Sequence, residues 1–192
     1  KILLLPVLLF LWGNVSGQIT ATYTFSSLGT SNINLPSGNV DGNIAFTTSN
    51  GTSGTATQYN GGGSDLRLYN NTTSPYNGGA LILTPQNGAT ITAVEFTTSS
   101  TYTPTMRYSI GAANATAADP SISRASLTYS VTGLGVTSSI RIRNAHTTTL
   151  QMRMLTVKVT YTGGSPTITS PTTSLTAFSA TPSTPSATQT FN

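Results

Sequence analysis

Along this chain, apolar and polar positions alternate in short runs, and the runs are separated by Gly, Asn, Ser and Pro. ITATYTF (Ile19 to Phe25) is the first, followed by NIAFTTS (Asn43 to Ser49), TATQY (Thr55 to Tyr59) and DLRLY (Asp65 to Tyr69). GALILT (Gly79 to Thr84), TITAVEFTT (Thr90 to Thr98) and TMRYSIG (Thr105 to Gly111) come next. ASLTYSVTG (Ala125 to Gly133), SSIRIRN (Ser138 to Asn144) and LQMRMLTVKVTYTG (Leu150 to Gly163) complete the series. No segment carries the i, i+3, i+4 spacing of an amphipathic helix; the period is two, as in strands with one buried face. Thr, Val, Ile and Tyr dominate the runs, which suits a pleated, half-buried surface. Many short strands with turn chemistry between them predict an all-β fold, an antiparallel β-sandwich of jelly-roll-like form. The turn markers are NGTSG, NGGGS, NGGA, QNGA and TGLG. There Gly and Asn are expected to supply the positive-φ positions.

Two runs carry more detail. In the last, Leu150, Met152 and Met154 share one face, whereas Leu155, Val157, Val159 and Tyr161 fall on the other phase. A β-bulge or bend between Met154 and Leu155 would keep both sets facing the core. In SSIRIRN, Ile140 and Ile142 are expected inside, with Arg141 and Arg143 outside as a solvated face.

The two ends differ from this region. KILLLPVLLFLWGNVSGQ joins a positive Lys1 to an apolar run from Ile2 to Trp12 and small residues at Val15 and Gly17. That is the layout of a secretory signal peptide, residues 1–17, with cleavage after Gly17. The run is shorter than the about 20 apolar residues that span a bilayer. Residues 18–164 then form the sandwich domain, and Ser165 to Ser174 reads as a linker. Leu175, Phe178 and Phe191 follow in a Thr-, Ser- and Pro-rich stretch, where large apolar side chains look like core residues of a further domain, residues 175–192. The expectation is therefore a fragment, without its initiator Met and with more chain after Asn192.

Composition narrows the class. There is no Cys, so a secreted fold must rely on burial rather than disulfides. Charged residues make up 6% of the chain, and Thr, Ser, Gly and Asn supply the polar surface instead. The formal charge of +4 falls to +3 once Lys1 is removed. The arginines are dispersed along the sequence, unlike the clustered Lys and Arg that bind nucleic acid by counterion release.

TYTFSS near the mature start, a Gly-rich turn running into LRLY, a central ITAVEFTTS and a closing LTVKVTYTG occur in that order. This order resembles a β-sandwich module near the N-terminus of large secreted Bacteroidetes proteins, many of them exported by the type IX secretion system. The resemblance covers residues 18–164 and implies a non-catalytic role in adhesion, binding or spacing. The stretch from Pro171 through Leu175 to Phe178, Thr181 to Pro185 and Ser186 to Phe191 resembles the opening of an Ig-like repeat common in the same proteins.

Chemistry is sparse. Glycoside hydrolysis generally uses two carboxylates flanking the bond, and the chain holds Asp41, Asp65, Glu95 and Asp119. Glu95 sits in a strand pattern and is expected to point outward; the aspartates sit at turns, where Asx hydrogen bonding favours them. His146, the only His, lies in the polar loop NAHTTT with no nucleophile motif nearby. Zinc wants Cys and His ligands. A structural calcium would take Asp41 or Asp65 beside Asn and Gly carbonyls, although neither stretch has the acid density of a tight site. Asn50, Asn70, Asn71 and Asn114 head N-x-S/T sequons, read here as loop polarity.

Glycan binding makes the most physical sense of the remaining residues. Sugars stack their C–H faces on aromatic rings, while amides and hydroxyls fix orientation. Tyr59, Tyr76 and Tyr102 lie near Gly- and Asn-rich loops, and with Asn60, Asn70 or Asn77 they make a candidate platform. The competing reading is strand-end tyrosines with the ring buried and the hydroxyl wet. The sequence thus predicts a secreted or cell-surface, non-catalytic adhesion or structural module with no membrane span and no nucleic acid partner. Its partners would be other domains of its own chain, and the alternative is a carbohydrate-binding module attached to an enzyme.

Overall fold

The computed structural model describes residues 17–111, 116 and 118–164. The expected signal segment before Gly17, the Asn114 sequon, the linker and the Ig-like opening lie outside the described residues.

Thirteen strands make up the described fold: β1 (Ile19–Thr24), β2 (Ile33–Asn34), β3 (Gly38–Asn39), β4 (Ile44–Ser49), β5 (Gln58–Asn60), β6 (Asp65–Leu68) and β7 (Ala80–Pro85), then β8 (Thr90–Thr98), β9 (Met106–Ile110), β10 (Ser123–Ala125), β11 (Thr128–Val136), β12 (Ile140–Asn144) and β13 (Met152–Thr162). Short 3-10 turns occupy Phe25–Leu28 and Pro75–Asn77. The larger, eight-stranded sheet runs β10-β11-β8-β13-β6-β5-β2, and β1 pairs with β13. The smaller, five-stranded sheet runs β3-β4-β7-β12-β9. All pairings are antiparallel, and from β6 to β9 the chain changes sheet at every strand. The all-β sandwich expected from the alternation is the observed fold. Among the described residues, no helix is long and apolar enough to cross a membrane.

The core lies between the sheets. Leu66 and Leu68, Val94 and Phe96, and Val157 and Val159 come from the larger sheet; Ile44 and Phe46, Leu81 and Leu83, and Ile140 and Ile142 come from the smaller one. Each pair is spaced by two residues, so the pleat alone turns both side chains inward. Phe25, Phe46 and Tyr23 meet edge-on or tilted at centroid distances of 4.8–5.9 Å, and Phe96 stacks on Tyr129 at 4.9 Å.

The phase slip in the last run is a bulge. Met154 lies opposite Thr98 and Thr156 opposite Thr97, so Leu155 is the extra residue. Met152, Met154, Val157, Val159 and Tyr161 are all buried as a result. A second irregularity, at Thr92 on β8, realigns Ile91 with Val94 in the same way.

Arg143 departs from expectation. It sits on the outer side of β12, yet it is only 1% exposed. Asp119 lies 3.0 Å from its Nη2, and Nη2 also donates to Ser109 Oγ. The segment carrying Asp119 therefore covers a residue that alternation had assigned to solvent.

Candidate functional site

The tyrosines chosen from sequence do not form one platform. Tyr59 is fully buried, and its hydroxyl donates to the Gly29 carbonyl at 2.6 Å. Its ring belongs to the core and is closed to a sugar, which corrects its assignment as a stacking residue. Tyr76 is half-buried beside the smaller sheet, with the Arg107 guanidinium 5.4 Å from its ring centroid. Asn77, next to it, accepts the Thr52 N–H at its backbone carbonyl. Asn60 closes the β5–β6 turn, its Oδ1 accepting from Gly63 N at 2.7 Å. Of the named tyrosines, Tyr102 faces an open cleft.

That cleft has a volume of about 210 Å³ and is lined by Tyr69, Asn70, Tyr102, Thr149, Leu150 and Gln151. It is built where β6 ends and β13 begins. Arg67 on β6 lies directly opposite Arg153 on β13. Like charges in register repel, and Asp65 offsets them. Its Oδ1 is 3.0 Å from Arg67 Nε, and its Oδ2 is 3.9 Å from Arg153 Nε. Burial works against the Arg67 charge, but Asp65 and Tyr69 outweigh it and hold the guanidinium pKa above its ordinary value. The Arg153 guanidinium lies 3.8 Å from the Tyr102 ring centroid. A cation on the face of a ring is attracted by its quadrupole, so one face of Tyr102 is fixed by the protein.

The backbone around Tyr102 is tied as well. Thr98 Oγ1 donates to the Tyr102 carbonyl at 2.6 Å, and Tyr102 N donates to Ser99 O at 3.1 Å. Two asparagines hold the opposite wall. Asn70 Nδ2 donates to Thr148 O at 2.7 Å and to His146 O at 3.3 Å, while its Oδ1 accepts from Leu150 N. Asn144 is fully buried; its Nδ2 donates to the carbonyls of Leu68 and Leu150, and its Oδ1 accepts from His146 N. Asn70, expected as a glycan contact, is thus a strut whose amide N–H groups are spent on the loop. With its amide turned so that the oxygen faces Arg153, Gln151 would accept from Nη2 and Nε at 2.8 and 3.0 Å.

Tyr69 and Gln151 escaped the sequence reading. Tyr69 shares its face with Asp65 and Arg67 by alternation, so its outward direction was readable; its approach to Tyr102 across another strand was not.

The acids are each engaged by a different partner. Asp41 Oδ1 accepts from the Asn43 and Ile44 amides at 2.8 and 2.9 Å, and its Oδ2 accepts from the Tyr161 hydroxyl at 2.6 Å. Asp65 is held by the arginines just described, Glu95 pairs with Lys158 at 2.7 Å, and Asp119 pairs with Arg143. The calcium candidates Asp41 and Asp65 therefore serve a turn and a charge network. His146 Nδ1 accepts from Thr105 N at 3.2 Å, which makes it a backbone anchor rather than a freely solvated loop residue. Among the described residues, no group of three or more His, Asp or Glu side chains comes together.

No protein-family model matches the chain, and no curated protein is significantly similar to it.

Proposed function

We propose that this domain is a non-catalytic binding module of a secreted, multidomain protein and that its cleft takes the edge of a carbohydrate chain. The observation that carries this reading is the pair Tyr69 and Tyr102 on an open cleft, with the Tyr102 ring backed by Arg153 and amide and hydroxyl groups of Gln151 and Thr149 beside it. Aromatic rings with a few convergent polar groups are what saccharide recognition requires. At about 210 Å³ the cleft is smaller than the roughly 300–1,000 Å³ of pockets that enclose a ligand. It therefore suits a sugar ring held at its edge. Extracellular placement rests on the signal-like residues 1–17 and on the resemblance to secreted Bacteroidetes modules.

The test is a glycan and polysaccharide array with the full chain, followed by calorimetry on the best ligand. Tyr69→Ala and Tyr102→Ala are each expected to weaken binding about 10-fold, which is about 1.4 kcal/mol. Tyr76→Ala should leave it unchanged. Binding that survives loss of both cleft tyrosines would remove the cleft from the proposal.

A second reading, adhesion or spacing without a sugar ligand, draws on Asn70, whose N–H groups are consumed by the loop. It predicts a blank array.

A further inference from the structure

The tyrosine cleft opens beside a row of polar and charged side chains on the outer face of the larger sheet. Gln58 on β5 lies directly opposite Arg67 on β6, and Arg67 lies directly opposite Arg153 on β13. Arg153 packs on the Tyr102 ring, and Gln58 Nε2 donates to the Tyr69 hydroxyl at 3.3 Å, so the row borders both tyrosines of the cleft. Asp65 is the acid set among these groups, and it is buried. The other acids of the chain are engaged elsewhere: Asp41 with Tyr161, Glu95 with Lys158 and Asp119 with Arg143. Two guanidinium groups therefore share one carboxylate, and the rim of the cleft keeps a net positive charge.

That charge is reachable from water. The Arg67 and Arg153 side chains keep 18% and 24% of their surface exposed. Asp65 accepts from Arg67 Nε, and a turned Gln151 amide would take Arg153 Nε and Nη2. Among the described residues, Arg153 Nη1 has no hydrogen-bond partner, and it is not buried. A guanidinium presents a planar set of donors that fits the oxygens of a carboxylate or sulfate. Arg153 covers one face of Tyr102, so a sugar ring rests on the other face and an anionic group beside it reaches the rim.

We propose that the ligand of the cleft is an acidic glycan, whose carboxylate or sulfate groups lie over Arg153 and Arg67 while a sugar ring rests against Tyr69 and Tyr102. This inference rests on the carbohydrate reading above and adds the charge of the ligand to it.

The test pairs each acidic polymer with its neutralised form, in calorimetry with the full chain. Polygalacturonate is compared with its methyl ester, and a sulfated galactan with the same polymer after desulfation. The two pairs distinguish a carboxylate from a sulfate. The acidic member of at least one pair is expected to bind about 10-fold tighter than its neutral counterpart. Arg153→Gln and Arg67→Gln should each remove most of that preference and leave the affinity for the neutral form unchanged. Arg153→Lys, which keeps the charge and loses the fork, should fall between Arg153→Gln and the natural chain. Arg124→Gln takes the same charge from an exposed position on β10 and should change neither affinity. A salt series on the natural chain needs no substitution at all, so the test survives any loss of stability around Asp65. Between about 50 mM and about 500 mM sodium chloride, binding of the acidic form should weaken by about 10-fold, because exposed charges are screened. Equal affinity for acidic and neutral forms, with binding lost in Tyr102→Ala, would overturn the acidic ligand and leave the carbohydrate reading standing. An acidic preference that persists in both Arg153→Gln and Arg67→Gln would overturn the assignment to these arginines. Absence of binding to every form would overturn both readings together.

Discussion

Buried polar side chains give the sharpest expectations at the scale of single residues. Asp119→Asn leaves the Arg143 guanidinium buried without its carboxylate. Breaking a buried pair from one side costs about 3–5 kcal/mol, whereas replacing both partners by apolar residues is often neutral. Urea denaturation should therefore show a large loss for Asp119→Asn and a smaller one for Asp119→Leu combined with Arg143→Met. Tyr129 gives a pH-dependent counterpart. Its hydroxyl donates to the Pro104 carbonyl at 2.6 Å, and burial pushes its pKa up to about 12, against the opposing charge of Arg124. A phenol whose folded pKa lies above its unfolded value of about 10 is stabilising in its neutral form. That contribution is complete below pH 10 and disappears as pH rises from about 10 to about 12. Tyr161 is shifted in the same direction, by burial first and then by Asp41, with Asn43 opposing. Tyr129→Phe should cost about 1–3 kcal/mol at neutral pH by leaving the Pro104 carbonyl unpaired. Its deficit relative to the natural chain should shrink in thermal scans between pH 10 and 12; a constant deficit would refute the burial argument. Both effects depend on what covers a residue, which alternation does not encode. SSIRIRN placed Arg143 on the correct side of β12, and the Asp119 segment, distant in sequence, buried it. Tyr59 shows the same limit, since a strand tyrosine beside a Gly-rich turn faces the core or the solvent according to register.

Element boundaries were legible where a run was long enough to show its period. β4, β8, β9, β12 and β13 fall inside runs read from alternation. β2, β3 and β10 are only two or three residues long and exist because a partner strand lies beside them, so no local pattern announces them. The bulge at Leu155 was readable because buried residues on both sides of it fall out of phase. Its deletion tests the inference. Removing Leu155 would bring Met152, Met154, Val157, Val159 and Tyr161 into one continuous alternation, so a regular strand would turn both sets inward without the bulge. The expected outcome is cooperative unfolding retained by circular dichroism, whereas deleting Lys158, which throws Val159 and Tyr161 out of phase with Val157, should abolish it. The glycine-marked turns divide by cause. Gly51, Gly88 and Gly133 have positive φ, as turn chemistry requires. Gly78 in NGGA does not; a Cβ there would collide with the Asn144 and Tyr69 carbonyls. Gly78→Ala is expected to disturb the Asn144-held loop beside the cleft, raising hydrogen exchange at residues 146–150. Sequence marks both kinds of glycine alike, because close approach is a tertiary property.

At the scale of the molecule, β13 is the strand on which the larger sheet depends. One of its edges pairs with β8, and the other is shared end to end by β6 at residues 152–154 and β1 at residues 156–161. Residues 19–24 therefore wait for residues 156–161 before their ladder can close. Such distant pairing places folding in the roughly millisecond-to-second range of all-β domains rather than the microseconds of helical bundles. It also means that most of the chain lacks a stable fold until β13 is present. Met152, Met154, Val157, Val159 and Tyr161 are all removed from water in the native state. At about 1.5–3 kcal/mol for each large apolar side chain, their loss is comparable to the whole stability of a domain, about 5–15 kcal/mol. A chain ending at Leu150 should show no cooperative thermal transition and should be digested rapidly by protease, even though most of the sandwich strands remain in it. Adding a peptide of residues 150–163 should restore protection, because β8, β6 and β1 then regain their shared partner. A truncated chain that unfolds cooperatively on its own, with an undiminished denaturant slope, would show that the smaller sheet carries the fold and that β13 merely closes it.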